Sequence, residues 1–246
     1  MQKIPPMNRS VLLAFMFVMS FPVFGQKISN VNFDAIKIAI ADSSSHLFYP
    51  TLVNRFQKQD TTLDHTEFEH LYYGNVFQEN YYPYGATDEQ RLFIEAYKKN
   101  ESFKETEQLG FSVLNENPVN LDVLLKMIFL YNREKNIEKA TVFAKLYVSF
   151  LEVIYESGTG EDCDNGFVVI SVDDEYRITA DLGLTVVRQA LVGSCDHLIF
   201  SKKGQKRKSR IKGLFFNVKM PLSYLAKSFQ HSDDPLPDKT PDEEED

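Results

Sequence analysis

Residues 88–157 repeat themselves at an interval of 34. Tyr97 and Tyr131 are separated by that interval, and the same offset aligns Ile94 with Ile128, Phe103 with Ile137, and the small residues Gly110 and Ala144. Pro118 falls 21 residues after Tyr97, immediately before a new helical run. Apolar residues inside each unit recur at helical spacing, so one period holds a helical hairpin. A lone hairpin cannot bury its apolar face, and neighbouring hairpins must stack. The stretch is therefore committed to layered helices, and a chain that is 43% hydrophobic with 20 Phe and 12 Tyr has the residues for a core.

The flanks differ in character. Upstream, residues 31–41 (VNFDAIKIAIA) and 47–56 read as helices, and residues 63–77 follow as a third after the capping chemistry of Asp60, Thr61 and Thr62. Downstream of Ser157-Gly158-Thr159-Gly160 the chain turns to strand-like runs. Residues 167–172, 189–192, 196–201 and 211–219 predict strands, residues 173–182 and 222–229 predict short helices, and the basic segment 202–212 predicts a hairpin loop. The expected fold class is α+β, with helical hairpins over residues 26–156 and a small antiparallel sheet with short helices over residues 157–230.

The first 25 residues carry an address. Lys3 and Arg9 precede an apolar run over residues 11–19, Pro22 interrupts it, and Val23-Phe24-Gly25 leads to a cut before Gln26. That is the order of a secretory signal peptide cleaved after Gly25. A spanning helix wants about 20 apolar residues, and no later segment is apolar enough, so no transmembrane segment is expected in the mature chain. No Cys lies near the cut, which argues against a lipid-anchored lipoprotein. The mature protein is expected to be periplasmic or secreted. In an oxidising compartment Cys163 and Cys195 either pair as a disulfide or stay as two buried thiols. Residues 231–246 hold eight acids, three Pro and one Lys, the composition of a disordered acidic tail. With a formal net charge of −8 the chain lacks the basic footprint of a nucleic-acid binder.

Few motifs carry chemistry. His65 and His70 with Glu67 and Glu69 are five apart, which on a helix turns the imidazoles away from one another, so no metal site is expected. Ser157-Gly158-Thr159-Gly160 lacks the strand, Lys and helix of a phosphate loop and reads as a linker. Asp173-Asp174-Glu175 reads as first-turn helix acids rather than a catalytic carboxylate pair. No catalytic residue and no cofactor are expected. Lys202, Lys203, Lys206, Arg207, Lys208, Arg210 and Lys212 read as a solvated hairpin tip, with an anionic surface or the acidic tail as the other reading. Residues 71–85 (LYYGNVFQENYYPYG) are the densest aromatic segment. Tyr72, Tyr73, Tyr81, Tyr82 and Tyr84 are the candidate ligand-binding residues; the competing reading has these rings cementing a loop onto the helices.

Two resemblances follow. The 34-residue period, with Tyr97 and Tyr131 mid-way in the first helix of each unit, resembles the tetratricopeptide repeat, although Thr106 stands where Ala140 and most such repeats have Ala. Three segments resemble the uncharacterised exported proteins of Bacteroidota grouped as domain-of-unknown-function family 4919: FYPTLVNRF at 48–56 with HLYYGNVFQ at 70–78, NYYPY at 80–84, and SGTG at 157–160 with FVVISVDDEY at 167–176. That resemblance implies an exported chain and supplies no reaction, cofactor or established site. The expected role is that of a non-enzymatic periplasmic binding or scaffold protein, whose repeats present a concave surface to another envelope protein. The alternative is an envelope enzyme or binder of a small ligand, glycan or peptide, with a pocket near the tyrosine segment.

Overall fold

The computed structural model describes residues 31–206 and 210–232. The expected signal peptide, Arg207 and Lys208 of the basic hairpin, and the acidic run from Asp233 onward lie outside the described residues.

Among the described residues seven helices come first: α1 (Phe33–Ala41), α2 (Tyr49–Gln57), α3 (His65–Gly74), α4 (Asp88–Lys99), α5 (Phe103–Glu116), α6 (Leu121–Arg133) and α7 (Ile137–Glu156). Their starts are set by side chains that accept from the free N–H groups of the first turn: Asn32, Asp64, Thr87, Ser102, Asn120 and Asn136 cap α1, α3, α4, α5, α6 and α7. At α3 the arrangement is a full capping box, in which Asp64 accepts from the Glu67 N–H and Glu67 accepts from the Asp64 N–H. The expected cap chemistry at Asp60–Thr62 therefore belongs elsewhere. Asp60 accepts from Thr62 and from Arg55 Nε at 2.8 Å, holding the turn after α2.

The 34-residue interval survives as geometry: α5 and α7 begin 34 residues apart, at Phe103 and Ile137. Helix α6 is the hub. It packs against α5, α7 and α4, and on its remaining side against a later helix. Eight of its residues, among them Leu124, Met127 and Leu130, are buried. Tyr131 shows how such a helix hides a polar tip, because its ring packs on Phe143 while its hydroxyl donates to Glu107 Oε1 at 2.6 Å.

After α7 come β1 (Phe167–Val168), α8 (Val172–Asp181), β2 (Val186–Val192), β3 (Cys195–Phe200), β4 (Gly213–Asn217) and α9 (Lys219–Ser232). The sheet order is β1-β4-β3-β2. β2 with β3 and β3 with β4 are antiparallel, as expected, but β1 runs parallel to β4 through Phe167↔Phe216 and Val168↔Asn217. The expectation of a purely antiparallel sheet is corrected to a mixed one. β1 enters directly from α7, and only after α8, β2 and β3 does the chain return as β4 beside it. The run 167–172 also fails to extend as a strand, because Ser171 caps α8 and takes the backbone into the helix. One continuous core joins the helices to the inner face of the sheet, from Ile36 to Val218. A Cys163–Cys195 disulfide ties the loop before β1 to the start of β3.

The Ser157-Gly158-Thr159-Gly160 turn folds the chain back from α7 toward the sheet. The N–H groups of Thr159 and Gly160 both donate to Asn165 O at 2.8 Å. A Cβ on Gly158 would lie 2.5 Å from Asn165 O and 2.6 Å from Gly166 O, both backbone atoms. Backbone cannot swing aside as a side chain can. Gly158→Ala is expected to destabilise the fold by about 1–3 kcal/mol in urea unfolding, and an unchanged midpoint would contradict this packing.

Candidate functional site

The aromatic segment lies where the helical layer meets the sheet, and most of its hydroxyls point inward. Tyr73 OH donates to Val168 O at 3.2 Å and Tyr81 OH donates to Ile170 O at 2.6 Å. Tyr72 OH accepts from the Ile170 N–H at 3.4 Å and donates to Asp174 Oδ2 at 2.7 Å. Main-chain groups on the free side of β1 and the residues after it thus find side-chain partners where another strand would otherwise supply them. Tyr72 and Tyr73 are fully buried and Tyr81 nearly so. Burial raises all three phenols above the ordinary tyrosine value. Tyr82 is 47% exposed, with its ring edge-on to Tyr224. Tyr84 is half-buried and stands beside Asp196 and Glu175; its phenol is raised by burial and then by those two charges.

The structure thus divides the five tyrosines. Tyr81 and Tyr82 line a cleft of about 70 Å³ between the loop after α3, the start of α6 and the start of α8. Tyr72 and Tyr73 lie behind it, and Tyr84 turns toward a separate cluster of acids. At 10–15 Å³ for each water-sized occupant, the cleft holds roughly five such groups, enough for the head of a ligand but not for a drug-sized body. Its polar wall sets the carboxyls of Glu116, Asp122, Asp173 and Asp174 beside amides such as Asn117 and Asn120. Asp122 is paired with Lys126. The buried Asn117 Oδ1 has no hydrogen-bond partner. Ser171 Oγ and the Val172 N–H both donate to Pro83 O, at 3.3 and 3.2 Å, and fix the tyrosine loop to α8.

Behind the cleft lies a cluster of buried carboxyls. Asp174 and Glu175 are buried in the first turn of α8, and Asp196 is buried on β3. Burial, with Asp173 adding to it against the Tyr72 bond, pushes Asp174 up to about 7. Glu175 is pushed up to about 9 by burial first and then by the charges of Asp196 and Asp174. As a carboxylate Glu175 accepts no hydrogen bond, and in its protonated form it is held by Asp196. Asp196 accepts from Gln189 Nε2 at 2.7 Å, and Gln189 Oε1 accepts from Tyr176 OH at 2.5 Å. Among the described residues no ion pair reaches any of the three. A signal for this was available: successive helix residues turn by about 100°, so Asp173, Asp174 and Glu175 cannot share one solvent face. Asp196 offered none.

The remaining candidates stay apart. His65 Nε2 lies 3.2 Å from Glu156 at the surface, while His70 is buried and its Nδ1 donates to Thr66 O at 2.8 Å. Among the described residues no group of three or more His, Cys, Asp or Glu side chains is placed to hold a metal ion. No helix among them is long and apolar enough to cross a membrane.

The family model described as Domain of unknown function (DUF4919) matches residues 34–227, a span that contains the whole tyrosine segment, the cleft and the acid cluster. The chain belongs to this family. No curated protein matches it, and no solved structure does.

Two outcomes follow for this joint. Tyr72→Phe removes the donor to a buried carboxyl and is expected to cost about 1–3 kcal/mol in denaturant unfolding; a neutral result would mean that Asp174 finds water instead. The second concerns pH. Unfolded, Glu175 ionises near 4.5; folded, it keeps its proton to about 9. Its stabilisation is therefore complete below about 4.5 and drains as pH rises to about 9. The wild-type thermal midpoint should fall between pH 5 and pH 9, and Glu175→Gln should flatten that fall, leaving the smaller slope due to Asp174.

Proposed function

We propose that the protein is a non-enzymatic binding protein of the cell envelope, and that the cleft at the joint takes the donor-rich head of a small ligand. An ammonium or guanidinium group on a peptide is the favoured head. The observation that carries this reading is the carboxyl lining of an open cleft, Glu116, Asp122, Asp173 and Asp174, of which, among the described residues, only Asp122 is met by a cation, Lys126. Asp173, exposed at the rim, adds a negative charge, and the exposed ring of Tyr82 adds a face on which a cation can rest. A neutral glycan is the second ligand class, since hydroxyls also donate and Tyr82 can stack on a sugar ring.

Export rests on the reading of residues 1–25 and is supported by the Cys163–Cys195 disulfide, a bond that persists in oxidising compartments. A scaffold built on tetratricopeptide-like hairpins is the weaker reading. α6, the inner helix of the second hairpin, already packs against α8, so the surface that such repeats offer to a partner is filled by the chain itself.

The test is thermal unfolding of the mature protein with arginine-rich peptides, polyamines and neutral oligosaccharides. Binding at about 100-fold over Kd adds about 2.7 kcal/mol, a rise of roughly 5–10 °C at this size. Tyr82→Ala with Asp173→Asn should abolish the rise, read against the double variant's own unliganded midpoint. No rise with any probe, or a rise that survives in the double variant, would overturn the assignment.

A further inference from the structure

The sheet has two edges, and the described residues cover only one of them. Beside β1 the hydroxyls of Tyr72, Tyr73 and Tyr81 meet the main chain at Val168 and Ile170. β2 forms the other edge. It pairs with β3 on its inner side, and among the described residues no main-chain hydrogen bond from another element reaches it on the outer side. All of residues 187–192 are exposed, and Val187, Leu191 and Val192 are 61%, 58% and 47% exposed.

Proteins usually blunt such an edge with Lys, Pro, an inward-pointing charge or a very short strand. β2 has seven residues (VVRQALV), with no Pro, no Lys and no acid. Its single charge is Arg188, and its single irregularity is the register shift between Val186 and Arg188. That shift leaves a regular ladder of five residues, 188–192. A strand presenting unpaired N–H and C=O groups between exposed apolar side chains is a template for another strand.

We infer that β2 pairs antiparallel with β2 of a second copy of this chain, so that two four-stranded sheets join into one of eight strands across a two-fold axis. The chain's own remaining segments are poor occupants. The run after Ser232 carries Pro235, Pro237 and Pro241, which have no N–H to donate, together with eight acids. Residues 26–30 only equal the ladder in number, which leaves Val31 and Asn32 as the whole link to α1. Self-pairing suits the strand chemically. Centred on Ala190, it sets Arg188 against the copy's Val192 and Gln189 against the copy's Leu191, so no like charges face each other and both Leu191 and Val192 gain a neighbour. On the face shared by Gln189 and Leu191, the partly exposed ring of Tyr176 extends the patch, because its hydroxyl already reaches Gln189.

A short ladder with one aromatic flank falls at the low end of stable interfaces, so the dimer should dissociate in the micromolar range. Sedimentation of the disulfide-intact protein from about 1 to about 200 μM should show monomer passing to dimer over that range. Leu191→Lys puts a charge on the exposed edge, touches no buried group, and should hold the protein monomeric with its thermal midpoint unchanged. Ala190→Cys lies on the axis and should link two copies on mild oxidation, whereas Thr141→Cys, exposed on α7, should not. A wild type that stays monomeric throughout would overturn the inference, and would be the result if the edge receives a strand of some other protein. A Leu191→Lys dimer, or equal linking through both cysteines, would overturn it as well.

Discussion

Tyrosine hydroxyls on the free side of β1 decide how the two halves of this chain meet. A two-residue strand at the edge of a sheet leaves main-chain donors and acceptors facing the core, and each one buried without a partner costs about 1–3 kcal/mol. A further strand would satisfy them with its own backbone. Here α3 and the loop after it do so with side chains: Tyr73 reaches Val168, Tyr81 reaches Ile170 O, and Tyr72 accepts from the Ile170 N–H. The rings that carry those hydroxyls are packed into the same core as α7, where Tyr72 and Phe68 meet Phe150. Hydrophobic burial and hydrogen bonding are therefore satisfied by the same residues. The helical layer and the sheet cannot separate without exposing the rings and orphaning the main chain together.

The cleft is a by-product of that docking. Pro83 O is held by Ser171 Oγ and the Val172 N–H, so the loop carrying Tyr81 and Tyr82 is fixed against the start of α8. The start of α6 forms the third wall, because the hub helix packs on α8. None of the three walls belongs to a single hairpin. A ligand in the cleft would touch both halves of the chain and report on whether they are docked.

Much of this was legible in the sequence, and the losses have specific causes. The seven N-terminal helices follow apolar periodicity and cap chemistry, which are local and survive tertiary packing. The 34-residue interval predicted the spacing of α5 and α7 because stacked hairpins must repeat if their faces are to match. Residues 167–172 misled because β-branched residues mark burial as well as strand. Only Phe167 and Val168 join the ladder; beyond them the Val169 N–H still donates to Asn217 O, but Ile170 is held by tyrosines. The parallel pairing of β1 was out of reach, since it depends on which edge the chain enters after α7. At the site, the density of tyrosines pointed to the right segment, while the direction of each hydroxyl is set by residues about 90 positions away. Asp174 and Glu175 are first-turn acids of α8, as their position predicts; that this turn lies buried against the sheet is a tertiary fact.

That double position explains how the acids are tolerated. The positive end of α8 favours carboxylates in its first turn, and Ser171 caps the same end. Asp174 receives the Tyr72 hydroxyl, which draws it down against burial, and is pushed up only to about 7, whereas Glu175 is pushed up to about 9 by burial, by the charges of Asp196 and Asp174 and by the hydrogen bond that its protonated form shares with Asp196. Two neighbouring acids in one turn thus part according to whether the nearest polar group is a hydroxyl or another carboxyl. Near neutral pH Glu175 keeps its proton, so the cluster need not carry three charges without a counter-ion. Asp174, poised near neutrality, belongs both to this cluster and to the wall of the cleft. A cationic head in the cleft would favour its ionised form, and its protonation would weaken the hold on such a head. With such a head bound, joint and cleft would be coupled through the Asp174 proton, and the Tyr72 hydroxyl, which draws Asp174 down against its burial, would favour the ionised form.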